Sequence, residues 1–179
     1  SFGIGEYFSE MFLNHREGFL PGEQNISLRG LVSLCYGYGL QTTLLHIAKA
    51  YTGILNDGIE ANLKIISSDS NETSRRILKK ETTNKIKNIL IQTVNNGTGK
   101  LAKVEGGVVG GKTGTSLISE EQGYDEDSIN ALFVGFIEKN SYRYLLAIMV
   151  QEPKHDVSGG SDVAAPIFSN VFKSIFASS

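Results

Sequence analysis

The group Lys112-Thr113-Gly114-Thr115 combines residue types that could bind an anion and polarise a carbonyl. β-Branched residues on both sides favour an extended chain. Side chains alternate between the faces of a strand, so Lys112 and Gly114 should share one face and Thr113 should point to the other. Because Gly114 has no side chain, a ligand could approach the backbone between a cation and hydroxyl groups. The alternative is a lysine at a sheet edge beside glycines that serve a β-bulge, and the residue types alone leave both interpretations open.

The same region also fits the letters of a phosphate-binding loop: from Gly106 to Thr113 there is a glycine, four residues, then Gly-Lys-Thr. Such a loop must follow an apolar strand and open a helix. The stretch 101–105 is a weak strand sequence, and the Ser/Glu/Gly-rich stretch after Thr115 would start a helix poorly. We therefore interpret the match as accidental and expect no bound nucleotide.

The helices that must position this group are predicted from hydrophobic spacing. Apolar residues three and four apart predict an amphipathic helix over 43–55, which Gly58 should stop. A second helix should begin at Thr82 or Thr83 as its cap and end at 97–99. A last helix should begin within about a turn of Pro166 or kink there. It carries an aromatic stripe that we interpret as core: Phe168, Phe172 and Phe176.

Strands are predicted around 108–115, 131–137 and 144–150. The polar stretch 138–141 joins the last two, which predicts a hairpin. Their apolar residues are continuous rather than alternating, so both faces should be covered by helices. The predicted fold class is α/β, of the α+β kind, with antiparallel strands between helices. The first 26 residues and 67–74 are predicted to be irregular or loop structure.

Composition limits the classes of function. The chain has 179 residues, 17 Lys and Arg against 19 Asp and Glu, and 40% hydrophobic residues, which is typical of one globular domain. No basic stripe indicates a nucleic-acid partner. Cys35 is the lone cysteine and no Cys/His cluster has metal-ligand spacing, so we expect neither disulfide, metal nor cofactor. The longest apolar run, 144–150, is far short of the roughly 20 residues of a membrane helix. The chain as given is expected to be soluble.

The surroundings of the Lys-Thr-Gly group resemble the class B, cell-division-type penicillin-binding transpeptidases over nearly the whole chain. The similarity begins with a glycine-tyrosine stretch and a helix that leads to an Asn-x-Gly turn, and its blocks follow in the family's order and spacing. These blocks are 37–40, Thr43, Ala48, 50–51, 56–58, 97–99, 111–115, 133–136, 152–154, 159–160 and 164–168. The resemblance implies part of a penicillin-binding transpeptidase or serine β-lactamase-like fold.

Roles for individual residues follow from this resemblance. Lys112 would support the electrostatics and proton network of the site, and Thr113 and Thr115 would hold the carboxylate of a D-Ala-D-Ala end or a β-lactam. Gly114 would belong to the same substrate-binding strand. The backbone N–H of Thr115 would form half of an oxyanion hole, which can supply a few kcal/mol of transition-state stabilisation. The implied reaction is cross-linking of peptidoglycan stem peptides through a serine acyl-enzyme.

The family's nucleophilic serine, followed three residues later by lysine, has no counterpart here. Thr82 and Lys85 have that spacing but lie at a predicted helix start remote from the site. Ser128-Ile129-Asn130 has the letters of the family's second motif, yet it follows Lys112 in the chain instead of preceding it. We therefore expect residues 1–179 to be the C-terminal portion of one transpeptidase domain, without its nucleophile and inactive alone. A degenerate binding module and a hydrolytic relative, a carboxypeptidase or β-lactamase, are the alternatives.

The resemblance also implies partners and a location. Expected partners are the stem peptide, β-lactam antibiotics and cell-division proteins. The full-length protein would face outward from the bacterial inner membrane, held by an upstream anchor that this sequence does not include.

The two histidines considered for a hydrolase triad have simpler interpretations. His46 should be a partly buried or surface residue of the 43–55 helix, and His155 should lie in a loop. Neither has a serine and an aspartate at a recognisable spacing. The acidic run 120–127 is interpreted as a solvated loop.

Overall fold

The computed structural model describes residues 2–4, 18–22, 26–61, 63, 74–120, 123–153 and 159–177, with the backbone alone at 117–120 and 123–127. In chain order the helices and strands are α1 (Leu28–Cys35), α2 (Leu44–Leu55), α3 (Lys80–Asn96), a 3₁₀ turn (Lys100–Ala102), β1 (Val108–Glu120), β2 (Gly123–Lys139), β3 (Tyr142–Gln151) and α4 (Ala164–Ala177).

Two of the predicted helices are confirmed with small changes. Thr43 caps α2 by accepting a hydrogen bond from the His46 N–H at 3.3 Å. α4 begins two residues before Pro166, where the missing N–H of proline costs no intrahelical bond. The prediction for the start of α3 is wrong, because this helix begins at Lys80. The hydroxyl of Thr83 donates to the Lys79 carbonyl from inside the first turn, so it cannot act as a cap.

α1 was not predicted. Ser27 caps it by accepting a hydrogen bond from the Gly30 N–H at 3.1 Å, and none of its residues is buried. Its eight residues are too few for hydrophobic spacing to stand out. Most of the residues predicted as irregular, 1–26 and 67–74, lie outside the described residues.

The three strands form an antiparallel sheet in the order β1-β2-β3, which confirms the predicted hairpin between β2 and β3. The prediction of a solvated loop over 120–127 is wrong, since Glu120 ends β1 and residues 123–127 begin β2. Pairing of β1 with β2 continues through a shift in register between Leu117 and Ile118. The acidic composition of this run carried no information on whether its backbone is paired.

Helices cover both faces of the sheet, as the continuous apolar runs predicted. On one face Phe136 packs with Ile54 of α2 and Leu90 of α3. On the other face the Phe133 ring meets Phe168 of α4 edge-on, with 5.1 Å between centroids. Phe133, Phe136 and Phe168 are completely buried, and each contributes about 2 to 3 kcal/mol through the hydrophobic effect. Phe168 and Phe172 are thus core residues, while Phe176 packs partly buried against them.

Candidate active site at the edge of the sheet

Lys112, Thr113, Gly114 and Thr115 lie in β1, which is an edge strand of the described sheet. The Lys112 side chain is exposed, and its ammonium donates to the Thr113 carbonyl oxygen at 2.9 Å. Among the described residues it forms no ion pair with a carboxylate, so its charge is available to an anionic ligand. An edge strand also has backbone groups that no neighbouring strand binds.

Neighbouring residues of β1 face opposite sides of the sheet, as strand alternation predicts. Lys112 is paired with Val134, and Gly114 with Leu132, on the side where α2 packs. Thr113 is paired with Phe133, whose ring contacts α4 on the other side. A molecule lying along the edge of β1 can therefore reach the ammonium from one side and the threonine hydroxyls from the other.

The glycines of β1 fall into two kinds. A Cβ added at Gly111 would lie 2.5 Å from Phe133 Cζ and 2.7 Å from the Val134 oxygen, so packing requires glycine there. A Cβ at Gly114 would meet only Leu132, at 3.5 Å, which is an ordinary contact. The register shift lies between Leu117 and Ile118, so Gly114 does not serve the bulge that the alternative interpretation required. Nothing in the described fold explains a glycine at 114.

Two more glycines, Gly159 and Gly160, lie against the site although sequence reasoning did not assign them to it. The Gly160 N–H donates to Thr115 Oγ1 at 3.4 Å. A side chain at Gly159 would clash with the Thr115 side chain, and one at Gly160 would clash with the backbone of Gly114. The loop before α4 therefore closes tightly over one side of β1. In the sequence, the two adjacent glycines were the signal that could have assigned this segment to the site.

Thr98 was also missed. The turn that ends α3 brings its hydroxyl within 2.8 Å of the Thr113 hydroxyl. In the sequence, residues 97–99 indicated only the end of a helix and one block of the family resemblance. The contact spans 15 positions in the chain, which no local pattern reports.

An apolar cavity of about 260 Å³ lies beside Lys112, between the sheet and α2. Tyr51, Leu44 and Ile47 of α2 form one wall, and Leu132 and Val134 form part of the other. Burial raises the pKa of Tyr51 to about 12, because the phenolate would lose its hydration. The ammonium of Lys112 thus stands where a water-exposed edge meets a low-polarity pocket.

The remaining sequence candidates lie apart from this group or play structural roles. His46 is fully buried, not partly buried or at the surface, and its Nδ1 lies 2.7 Å from the Thr43 hydroxyl that caps the same helix. Lys85 pairs with Glu81 on the exposed surface of α3. Asn130 lies in β2 and contacts Ser116 at 3.5 Å. His155 is outside the described residues.

The phosphate-loop interpretation is excluded by the local structure, because Lys112 and Thr113 lie within a strand and open no helix. No group of three or more His, Cys, Asp or Glu side chains could hold a metal in the part of the chain that the structure describes. Over the same residues, no helix is long and apolar enough to cross a bilayer.

Known proteins resemble this chain in sequence. A family model described as "Penicillin binding protein transpeptidase domain" matches residues 1–173. A protein of Neisseria gonorrhoeae named "Probable peptidoglycan D,D-transpeptidase PenA" is 30% identical over 170 residues, which cover 94% of this chain and 29% of the relative. The "Peptidoglycan D,D-transpeptidase FtsI" of Buchnera aphidicola subsp. Schizaphis graminum is also 30% identical, over 96% of this chain and 30% of its own length. The chain therefore spans less than a third of these relatives.

Solved structures agree with the sequence comparison. The apo transpeptidase domain of Burkholderia pseudomallei penicillin-binding protein 3 matches with a TM-score of 0.86 and 28% identity, over 99% of this chain and 54% of that one. Penicillin-binding protein 3 of Mycobacterium tuberculosis in complex with aztreonam matches with a TM-score of 0.86 and 25% identity, over 98% and 44%. With its antiparallel sheet, its helices on both faces and its family model across nearly the whole length, this chain belongs to the penicillin-binding protein transpeptidase domain family.

Proposed function

We propose that the intact protein is a peptidoglycan D,D-transpeptidase that acts through a serine acyl-enzyme. The observation that carries this proposal is the open edge of β1, where Lys112 and Thr113 directly precede a glycine that the described packing does not require. A stem peptide lying along this edge would pair with the strand backbone, which is how extended peptides commonly bind to sheets.

The reaction is an acyl transfer. A serine hydroxyl attacks the carbonyl of the penultimate D-Ala, the bond to the terminal D-Ala breaks, and the hydroxyl proton ends on the departing amine. An amino group of a second stem peptide then attacks the ester and restores the hydroxyl. A β-lactam follows the first step only, with its ring nitrogen as the retained leaving group.

Residues of this chain would bind the acyl donor and stabilise charge. The ammonium of Lys112 offers a positive charge beside an apolar cavity, where electrostatic interactions are stronger than in water. The hydroxyls of Thr113 and Thr115 would donate to the terminal carboxylate. The backbone N–H of Thr115 would stabilise the oxyanion that forms during attack.

Residues 1–179 would then be the C-terminal portion of one transpeptidase domain, and the serine would come from outside this chain. The exposed apolar side chains of α1 and of the residue after it support this assignment: Leu28 and Tyr36 are 79% and 78% exposed, and Leu31 and Val32 are each 52% exposed. An apolar helix face of this kind is typical of an interface. The shared length supports it as well, since the Burkholderia domain is about twice as long as this chain.

The proposed partners and location follow from the same function. The structures of the Mycobacterium tuberculosis protein with aztreonam and with ampicillin support β-lactams as ligands. Relatives named as peptidoglycan D,D-transpeptidases support the stem peptide as substrate. Cell-division proteins as partners and a site of action outside the inner membrane are proposed from the family resemblance of the sequence.

Acylation of the intact protein by a fluorescent penicillin tests the function. We expect one covalent label per protein, an acylation rate at least about 100-fold lower for Lys112→Ala, and an unchanged rate for Lys100→Ala, another exposed lysine. The 179-residue chain alone should take no label. An intact protein that binds the penicillin without acylation would indicate a degenerate binding module, and rapid release of hydrolysed penicillin would indicate a hydrolytic relative.

A further inference from the structure

We propose that Thr98 is a positioning residue, whose hydroxyl donates to Thr113 Oγ1 and so turns the Thr113 proton toward the carboxylate of the acyl donor. This inference deepens the proposed function and rests on it. It concerns a residue of the turn after α3, outside the Lys-Thr-Gly group itself.

The place of Thr98 is fixed by the residues on both sides of it. The N–H groups of Gly97 and Gly99 both donate to the Thr93 carbonyl, at 3.0 and 3.1 Å, and so wrap the turn around the end of α3. The 3₁₀ turn that follows inserts the fully buried Ala102 into the core. Thr98 is therefore presented to β1 by anchored backbone rather than by a free loop.

The contact between the hydroxyls of Thr98 and Thr113, at 2.8 Å, can be made in either direction. If Thr113 donates, only oxygen lone pairs of Thr113 remain for a ligand, and these repel an anion. If Thr98 donates, the Thr113 proton is free to donate to a carboxylate. Hydrogen bonds in such a chain polarise one another, so a bound anion favours the second arrangement.

The contact between the Thr98 and Thr113 hydroxyls contributes little to the stability of the fold. The Thr98 side chain is exposed and Thr113 is only partly buried, so water can replace either partner at little cost. The same contact has a larger effect when its far end meets a charge, because hydrogen bonds to ionised groups are about twice as strong as neutral ones. A role in orienting Thr113 thus predicts an effect on ligand binding that exceeds the effect on stability.

The test compares Thr98→Val, which keeps the shape and removes the hydroxyl, with Thr98→Ser, which keeps the hydroxyl. Thr93→Val is the matched control, because the Thr93 hydroxyl donates to the Ile89 carbonyl within α3. Stopped-flow acylation of the intact protein by benzylpenicillin would separate the dissociation constant from the rate of the covalent step. We expect Thr98→Val to raise the dissociation constant about five- to ten-fold with little change in the covalent step. Thr98→Ser and Thr93→Val should stay within about two-fold of the wild type.

The methyl ester of benzylpenicillin gives the second comparison. Since it lacks the carboxylate, the wild type and Thr98→Val should bind it equally. Two results would overturn the role of Thr98. In the first, Thr98→Val loses affinity equally for benzylpenicillin and for its methyl ester; in the second, it loses no affinity for benzylpenicillin.

Equilibrium binding of N-acetyl-D-Ala-D-Ala separates this inference from the proposed function. A wild-type protein that binds this peptide but is not acylated would refute the acyl-enzyme, and Thr98→Val would then be judged by its affinity for the peptide. A wild-type protein that binds neither carboxylate ligand would overturn both proposals.

Discussion

The two halves of β1 differ although one strand contains both. Residues 109–111 are packed, with Val109 in the core and the glycines at 110 and 111 pressed against aromatic rings. Residues 112–116 have an exposed lysine, one partly buried and one exposed threonine, and a glycine whose added Cβ would make only an ordinary contact. The first half thus contributes to the core, whereas the side chains of the second half lie at the surface and make only a few polar contacts with the rest of the fold.

This difference separates two reasons for a glycine. At Gly111 a ring and a backbone oxygen occupy the space of a side chain, so the glycine is a requirement of packing. At Gly114 a Cβ would make only an ordinary contact with Leu132, so the described packing does not require a glycine there. Variants along the strand can test this distinction directly.

The largest effect is expected at the packed half. Gly111→Ala would force Phe133 or the backbone of β2 to move, and we expect a loss of about 3 kcal/mol or more in the free energy of unfolding. Chemical denaturation would measure it, with Gly22→Ala as control, because no atom lies within 4 Å of a Cβ at Gly22. A loss below about 1 kcal/mol would remove the distinction between the two halves.

The next effect concerns the apolar cavity behind the open half. Burial raises the pKa of Tyr51 to about 12, from 10.0 in an exposed tyrosine, so the folded protein keeps this proton at a pH where the unfolded chain loses it. The contribution to stability is full below about pH 10 and declines as the pH rises toward about 12, by about 2 to 3 kcal/mol in total.

Unfolding free energies measured between about pH 9 and pH 11.5 check this, and Tyr51→Phe should have a shallower decline because it has no proton to lose. Equal slopes for the two proteins would mean that water reaches the phenol and that the cavity is not dry.

A smaller effect on stability is expected at the open half. Gly114→Ala should change the free energy of unfolding by less than about 1 kcal/mol, and in the stabilising direction, because the Cβ meets only an ordinary contact and the unfolded chain loses freedom. Acylation of the intact protein should nonetheless slow, since the methyl group occupies the approach to the strand. An unchanged or higher free energy of unfolding together with slower acylation would be the signature of a site glycine.

The smallest effect is expected for Lys112→Met. Within the described part of the chain its ammonium bonds only to the neighbouring Thr113 carbonyl and lies in water, so the midpoint of thermal unfolding should shift by no more than that of Lys100→Met. A clear loss of stability would show that Lys112 supports the fold, and would weaken its assignment to the site.

Regular local patterns made much of the fold predictable. α2 could be located because Thr43 caps a run of apolar residues at helical spacing, and the β2–β3 hairpin because a polar turn joins two apolar runs. The features that local patterns did not predict depend on how each residue packs in the folded chain. Thr83 resembles a cap in sequence, but it lies buried in the first turn of α3, where its hydroxyl donates to the Lys79 carbonyl.

The candidate site was predictable in its centre only. The types and order of Lys112, Thr113 and Gly114 were enough to indicate anion and carbonyl chemistry. Thr98 and Gly160 reach the same strand from positions 15 and 45 residues distant from their partners. Such contacts depend on the path of the whole chain, so no short motif could reveal them.

The open edge of β1 has a consequence for the behaviour of the protein at high concentration. Its unpaired backbone groups could bind a strand from a second copy as readily as a peptide, which is the first step toward aggregation. A charged lysine in the middle of the edge opposes this, because two copies that pair there would bring like charges together. Lys112→Met, which should melt like the wild type, is therefore the variant in which light scattering should rise first as the protein is concentrated.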